Sequence, residues 1–154
     1  MGFLLVIALT SRPARRVWNT VSFPSTLYLI PILDLLLVEI PSEWQAEIRL
    51  GLQEALVNAA KHGNRLDPRK KVFVRFSVSS DQYWWIISDQ GSGFCPPKCC
   101  GLHSENEKAH EERECGRGLY ILHQIFDAVE WSSDGTELRL CKNVERSEKF
   151  PLVW

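Results

Sequence analysis

Between Pro41 and Asn64 the apolar residues Trp44, Ile48, Leu52, Ala55, Leu56 and Ala59 recur at the helical period, and this stripe constrains the fold most. A helix with one apolar stripe must lie on a core, so polar groups flanking the stripe are held at the edge of that core. Glu54 and Asn58 form such a flank: side chains at i and i+4 stand one above the other, and Lys61 follows on nearly the same side. Pro41-Ser42 followed by Gln45 has the form of a capping box, with Ser42 capping the backbone and Gln45 reaching back. Gly63-Asn64 supplies residues that tolerate positive φ where the helix should end.

A carboxylate and a carboxamide on one helix flank suggest chemistry. A hard cation such as Mg²⁺ takes oxygen ligands, and an Asn carbonyl oxygen can serve without adding charge beside a polyphosphate. A Glu one turn away can orient or deprotonate an attacking hydroxyl. In isolation the same pattern also describes a solvated helix flank closed by a glycine C-cap, so the reading depends on the remaining chain.

Upstream, Val17 to Phe23 suits a strand through Trp18, Val21 and Phe23, ended by Pro24-Ser25. A helix is expected from about Ser25 to Val38, with Leu29, Ile32, Leu33, Leu36 and Leu37 at helical spacing. Downstream, Lys71 to Ser79 and Tyr83 to Ser88 read as a hairpin; of Trp84 and Trp85 in its second arm, one belongs to the core and the other could mark a partner surface.

Asp89-Gln90-Gly91-Ser92-Gly93-Phe94 follows directly. A buried Asp oxygen can accept from an exocyclic amine, and glycines let the backbone approach a flat ring, although a plain turn explains the same segment. Cys95 to Cys115 is long enough to be a lid. Its Cys95, Cys99, Cys100 and His103 read as free lid groups, with zinc binding or redox response as the alternative. Gly116-Arg117-Gly118-Leu119 then opens an apolar-periodic segment, and glycines at a helix start expose amides suited to phosphate. Val129 to Trp131 and Glu137 to Lys142 read as strands joined around Asp134-Gly135, with Thr136 at the start of the second.

The reading is one domain over residues 17–143, with a basic tail over 1–16 and a short tail over 144–154. Eighteen basic against nineteen acidic residues give a net charge of −1, which makes no general case for nucleic acid or an anionic membrane as partner. An odd number of cysteines, five, with no secretory signal before them, suits reduced thiols in a cytoplasmic protein. The apolar run from Phe3 to Leu9 is too short to span a bilayer, and Pro31, Asp34 and Glu39 interrupt the Leu-rich stretch over 27–40.

In order, the parts are E-x-x-x-N on a helix, D-x-G-x-G-F after a strand, a lid, G-R-G-L and G-T before a last strand. This order resembles the GHKL ATPase superfamily with its Bergerat nucleotide-binding fold, over roughly residues 17 to 143. More narrowly, Glu54-Ala-Leu-Val-Asn58-Ala-Ala-Lys-His62-Gly63-Asn64 with Gly116-Arg-Gly-Leu119 is similar to the anti-sigma-factor serine/threonine kinases of bacterial partner switching. The resemblance implies an α/β, two-layer α+β sandwich whose mixed, mostly antiparallel sheet is covered on one face by helices.

It further implies ATP and Mg²⁺ as cofactors, Glu54 as general base, and Asn58 holding Mg²⁺ against the phosphates. Asp89 would bind the adenine amine, with Gly91, Gly93 and Thr136 around the base. Gly116, Arg117, Gly118 and Leu119 would close on the phosphates, with Lys61 or His62 adding positive charge. The implied partners are a sigma factor and a STAS-type anti-anti-sigma protein bearing the acceptor serine or threonine, and a second copy of the chain. The alternatives are a non-catalytic ATP-binding switch that sequesters a regulator, and a histidine-kinase-type catalytic module. The cysteine-rich lid departs from the family pattern.

Overall fold

The computed structural model describes residues 15–93 and 108–144, with side chains of the last segment described from Gly116 onward. Most of the basic tail, the lid residues Cys95, Cys99, Cys100 and His103, Phe94, and residues 145–154 lie outside the described residues. In order, the elements are β1 (Asn19–Pro24), α1 (Ile30–Leu37), α2 (Ser42–Val57), β2 (Lys71–Val78), β3 (Gln82–Ser88), α3 (Lys108–Ile125), β4 (Ala128–Trp131) and β5 (Glu137–Asn143). The strands form one sheet of order β1-β2-β3-β5-β4, and every described pairing is antiparallel rather than mixed.

Strand alternation sends one set of side chains to the helical layer. The register aligns Val74 with Ile87 and Phe76 with Trp85. Trp85 in turn faces Leu140, and Ile87 faces Leu138. These residues are buried with Ile48, Leu52, Leu56 and Leu122 from the helices in a single core. Burying a leucine such as Leu52 completely contributes about 1.5–3 kcal/mol, so the stripe on α2 anchors the layer. Trp85 is the core member of the tryptophan pair and meets Phe126 edge-on. Trp84 lies on the other face, where the Arg16 guanidinium stands 5.2 Å from its ring and Arg16 donates to Gln82. Arg16, which the sequence assigns to the tail, is therefore held against the sheet.

Three local expectations are corrected. The first helix starts at Ile30 rather than near Ser25, because proline lacks an N–H and clashes with the turn before it, so Pro31 fits in a first turn and not in the interior of a longer helix. The capping box does not form: Pro41 is the N-cap and Ser42 is the first helical residue. Gln45 instead donates its side-chain amide to Ile40 O at 2.8 Å and Leu37 O at 3.4 Å, tying α2 to the carbonyl end of α1. Finally, α2 does not stop at a glycine cap. It widens into a π-helical turn over Asn58–Gly63, and positive φ falls on Arg65 and Leu66, while Asn64 keeps φ at −83°.

Candidate functional site: a cleft between α2 and the sheet

The apolar stripe of α2 fixes which way its flank points, and the sheet supplies the opposite wall. Between them lies a cleft, open to solvent, whose apolar walls include Ala55, Ile87, Leu138 and Trp131. Its polar lining is Asn58, His62 and Asp89, with Gly63 between them. A mostly apolar cleft with a few convergent polar groups is the usual form of a small-molecule site.

Asp89 leaves the end of β3. Its backbone N–H donates to Thr136 O at 3.0 Å, and its carboxylate accepts from Gly91 N–H at 2.8 Å. Burial pushes its carboxyl above the ordinary carboxylate range, nearby Asp134 adds to this, and the Gly91 hydrogen bond opposes it. The backbone is packed closely here: a methyl group on Gly63 would overlap the Asp89 carboxylate, and one on Gly91 would overlap Gly63 O. The glycines thus let two loops meet against the carboxylate. Gly93 has φ of +97° and packs its α-carbon against Asp134 O, which serves the loop contact.

Glu54 and Asn58 come together as the helix period requires. A Cβ placed on Gly118 would lie 3.3 Å from Glu54 Oε2 and 3.5 Å from Asn58 Nδ2, so α3 offers both side chains a surface without atoms of its own. The other implied phosphate residues are placed differently. Because α3 begins at Lys108, Gly116, Arg117 and Gly118 lie inside a helix, and their amides are not the open donors of a helix start. The helix-forming Lys108-Ala-His-Glu-Glu-Arg-Glu run propagates through the two glycines, whose cost of about 1 kcal/mol each is tolerated. Arg117 and Gly116 are exposed, and Leu119 is half-buried.

Lys61 and His62 part ways in the π turn. Its i→i+5 bonds advance each residue through a smaller angle than an α-helix does, so Lys61 lags behind the Glu54 direction and is exposed, while His62 lines the cleft. Thr136 contributes its carbonyl to Asp89, but its hydroxyl donates to Asp134 Oδ1 at 2.8 Å within the β4–β5 turn. Two contributions were not anticipated. Trp131 and Leu138 complete the apolar wall from strands whose pairing, not their local sequence, brings them there. Asn64, fully buried, braces the floor of the cleft.

The donor set fits a magnesium nucleotide. Mg²⁺ needs only one or two protein oxygens beside phosphates and water, which the Asn58 carboxamide can provide. Among the described residues no group of three or more His, Cys, Asp or Glu side chains converges as a metal site. Cys141 is buried, and burial raises its thiol to about 11, so it is inert as a nucleophile at neutral pH.

A single antiparallel sheet covered by helices, with an E-x-x-x-N helix flanking a cleft floored by an aspartate and glycines, defines a GHKL-type ATPase. The chain belongs to the histidine kinase-like ATPase domain family, which matches residues 34–142. It is similar to the serine-protein kinase RsbW of Bacillus licheniformis, with 30% identity over 104 residues, 65% of this chain and 65% of that protein. The RsbW of Bacillus subtilis (strain 168) is 27% identical over 86 residues, 54% of each chain. That of Staphylococcus epidermidis is 25% identical over 105 residues, 65% of this chain and 66% of the relative. The chain thus spans a little under two thirds of the first relative's length. No described helix is long and apolar enough to cross a membrane.

Proposed function

We propose that this chain is an ATP-dependent serine/threonine protein kinase acting as an anti-sigma regulatory factor. Its substrate is a serine or threonine hydroxyl on a STAS-type anti-anti-sigma protein, and it sequesters a sigma factor in the cytoplasm. The observation that carries this reading is the convergence of Glu54 and Asn58 over Gly118, beside a cleft with Asp89 in its lining. Its similarity to the serine-protein kinases RsbW supports it.

In this reading Asp89 accepts the exocyclic amine of adenine, and the apolar walls hold the ring. Asn58 would hold Mg²⁺, which when bound neutralises phosphate charge. Glu54 orients the acceptor hydroxyl and takes its proton; the hydroxyl oxygen bonds the γ-phosphorus as the bond to the β-phosphate oxygen breaks, and ADP leaves. Because phosphoryl transfer depends on positioning and charge more than on covalent help, one small domain suffices.

The test is transfer of labelled γ-phosphate from Mg·ATP to protein in an extract of the source cells. Acid-stable label on a protein other than the kinase is the expected result. Acid-labile label would replace the reading with a histidine-kinase-type reaction, and ATP binding with no labelled protein would leave a non-catalytic switch.

Gly118 offers a second check. A Gly118→Ala methyl would sit within 3.3 Å of Glu54 Oε2, forcing that side chain to yield by a few tenths of an ångström. The same change stabilises a helix interior by about 0.5–1 kcal/mol. The expected variant is more heat-stable but slower in transfer, by up to about tenfold, since a misplacement of ~1 Å can cost 10²-fold. Thermal melting and single-turnover transfer check both; an unchanged transfer rate would separate Gly118 from the chemistry.

A further inference from the structure

We propose that Asn64 is a positioning residue for purine selection: its side-chain oxygen holds the Gln90 amide, and through it the Asp89 carboxylate, in the place that distinguishes an amino-purine from an oxo-purine. The proposal deepens the nucleotide-cleft reading and rests on it.

Asn64 follows the π turn and is completely buried. Its Nδ2 donates to Ser25 Oγ at 2.8 Å and to Lys71 O at 3.0 Å, while its Oδ1 accepts the Gln90 N–H at 2.7 Å. One carboxamide therefore joins the segment after β1, the start of β2 and the loop leaving β3. Of the four hydrogen bonds an Asn side chain can make, these use both donors and one acceptor site.

The Gln90 bond differs in consequence from the other two. That N–H belongs to the peptide plane leaving Asp89, so Oδ1 of Asn64 sets the backbone rotation on the C-terminal side of Asp89. On the N-terminal side the Asp89 N–H is held by Thr136 O. Gln90 Oε1 also accepts the Lys71 N–H at 2.7 Å, so the loop is bound to β2 directly as well as through Asn64. Next to Asn64, Gly63 abuts the Asp89 carboxylate, which makes the Gly63-Asn64 pair one wall of the carboxylate's seat. A carboxylate held there accepts from a 6-amino group and repels a 6-oxo group. A carboxylate allowed to swing loses that distinction.

The probes are ATP and inosine triphosphate, which differ at position 6, amino against oxo, and in the proton that N1 carries in the oxo form. Dissociation constants by calorimetry, with unfolding midpoints measured in parallel, are compared for wild type, Asn64→Ala, Asn64→Asp and Ser25→Ala. Asn64→Ala is expected to weaken ATP binding at least about tenfold, as loss of a buried hydrogen-bond partner allows, and to move the ATP to inosine triphosphate preference towards unity. Asn64→Asp keeps an acceptor for Gln90 and retains the preference. Ser25→Ala loosens the brace, lowers the midpoint and also retains the preference. If Asn64→Ala does not fold, Gln90→Pro removes the N–H donor, with Gln90→Ala as the control that loses only the Lys71 contact, and carries the same expected loss of preference.

A folded Asn64→Ala, or Gln90→Pro in its place, with the wild-type preference overturns the proposal. So does a preference that falls in step with the midpoint across the set, which is the behaviour of a purely structural residue. Wild-type protein that binds neither nucleotide overturns the purine-cleft reading itself, and the proposal with it.

Discussion

Glu54→Gln should lower phosphoryl transfer by about 10²–10⁴-fold, the range of a lost general base, while leaving ATP affinity close to that of wild type. The substitution keeps the length of the side chain and the α2 packing, because Glu54 lies at the flank of the stripe and not in the buried set. It removes only the ability to take a proton. An interaction needed in the transition state and not in the ground state should change the rate constant and not the binding constant. Asn58→Ala should instead weaken Mg·ATP binding, since Asn58 lines the cleft and Glu54 is placed beside it. Single-turnover transfer together with equilibrium nucleotide binding separates the two. Wild-type transfer in Glu54→Gln would remove it from the catalytic role and favour the switch reading.

Asp89→Asn should reduce ATP affinity by about 10- to 100-fold, corresponding to the ~1.5–3 kcal/mol of a hydrogen bond to a charged group, without loss of stability at pH 7. The sign follows from the carboxyl's environment. Burial raises its folded value above that of the unfolded chain, so the native state binds a proton more tightly. Between the ordinary value of about 3.9 and the raised folded value, the native state carries more protons than the unfolded one. Stability therefore falls as pH rises through that window, and above it the desolvated charge is a standing cost.

Replacing the carboxylate removes that cost, so the unfolding midpoint at pH 7 should be unchanged or higher, and the pH slope in that window should shrink. Wild-type ATP affinity should also begin to fall on acidification at a higher pH than an ordinary carboxylate would give, because a protonated Asp89 offers a donor to an amine. Calorimetric titration with ATP and thermal melts over a pH series read both effects. A destabilised Asn variant with wild-type ATP affinity would place the carboxylate in the fold and not in the site.

Much of this was legible before any tertiary contact was known. The residues of the α2 stripe recur at a period that only a helix buried on one side satisfies, and Ile48, Leu52, Ala55, Leu56 and Ala59 are all buried. The i, i+4 spacing brought Glu54 and Asn58 together, and the alternation in β2 with the apolar run in β3 foretold their hairpin. The Asp134-Gly135 turn joined β4 to β5 through its own local hydrogen bonds, with Asp134 Oδ1 accepting from Ser132 and Thr136. Each of these depends on residues close together in the chain, whose relative directions are set by backbone geometry.

What misled the reading lies where two local signals compete or where partners are distant. Gly116 and Gly118 are common at helix starts, yet the charged helix-forming run before them carries α3 through both. Ser42 and Gln45 match a capping box, yet Gln45 donates instead to Leu37 O at the end of α1 and to Ile40 O just beyond it. By itself the sequence determined the helix stripe, the strand alternation and the placement of Glu54 beside Asn58, because these follow from backbone periods of a few residues. Only the tertiary structure decided that Asn64 braces the loop of Asp89, that Gly118 opens space over Glu54, and that Trp131 and Leu138 wall the cleft. Those contacts join residues tens of positions apart, and their register is set by the sheet order and core packing of the whole domain, which no local period encodes.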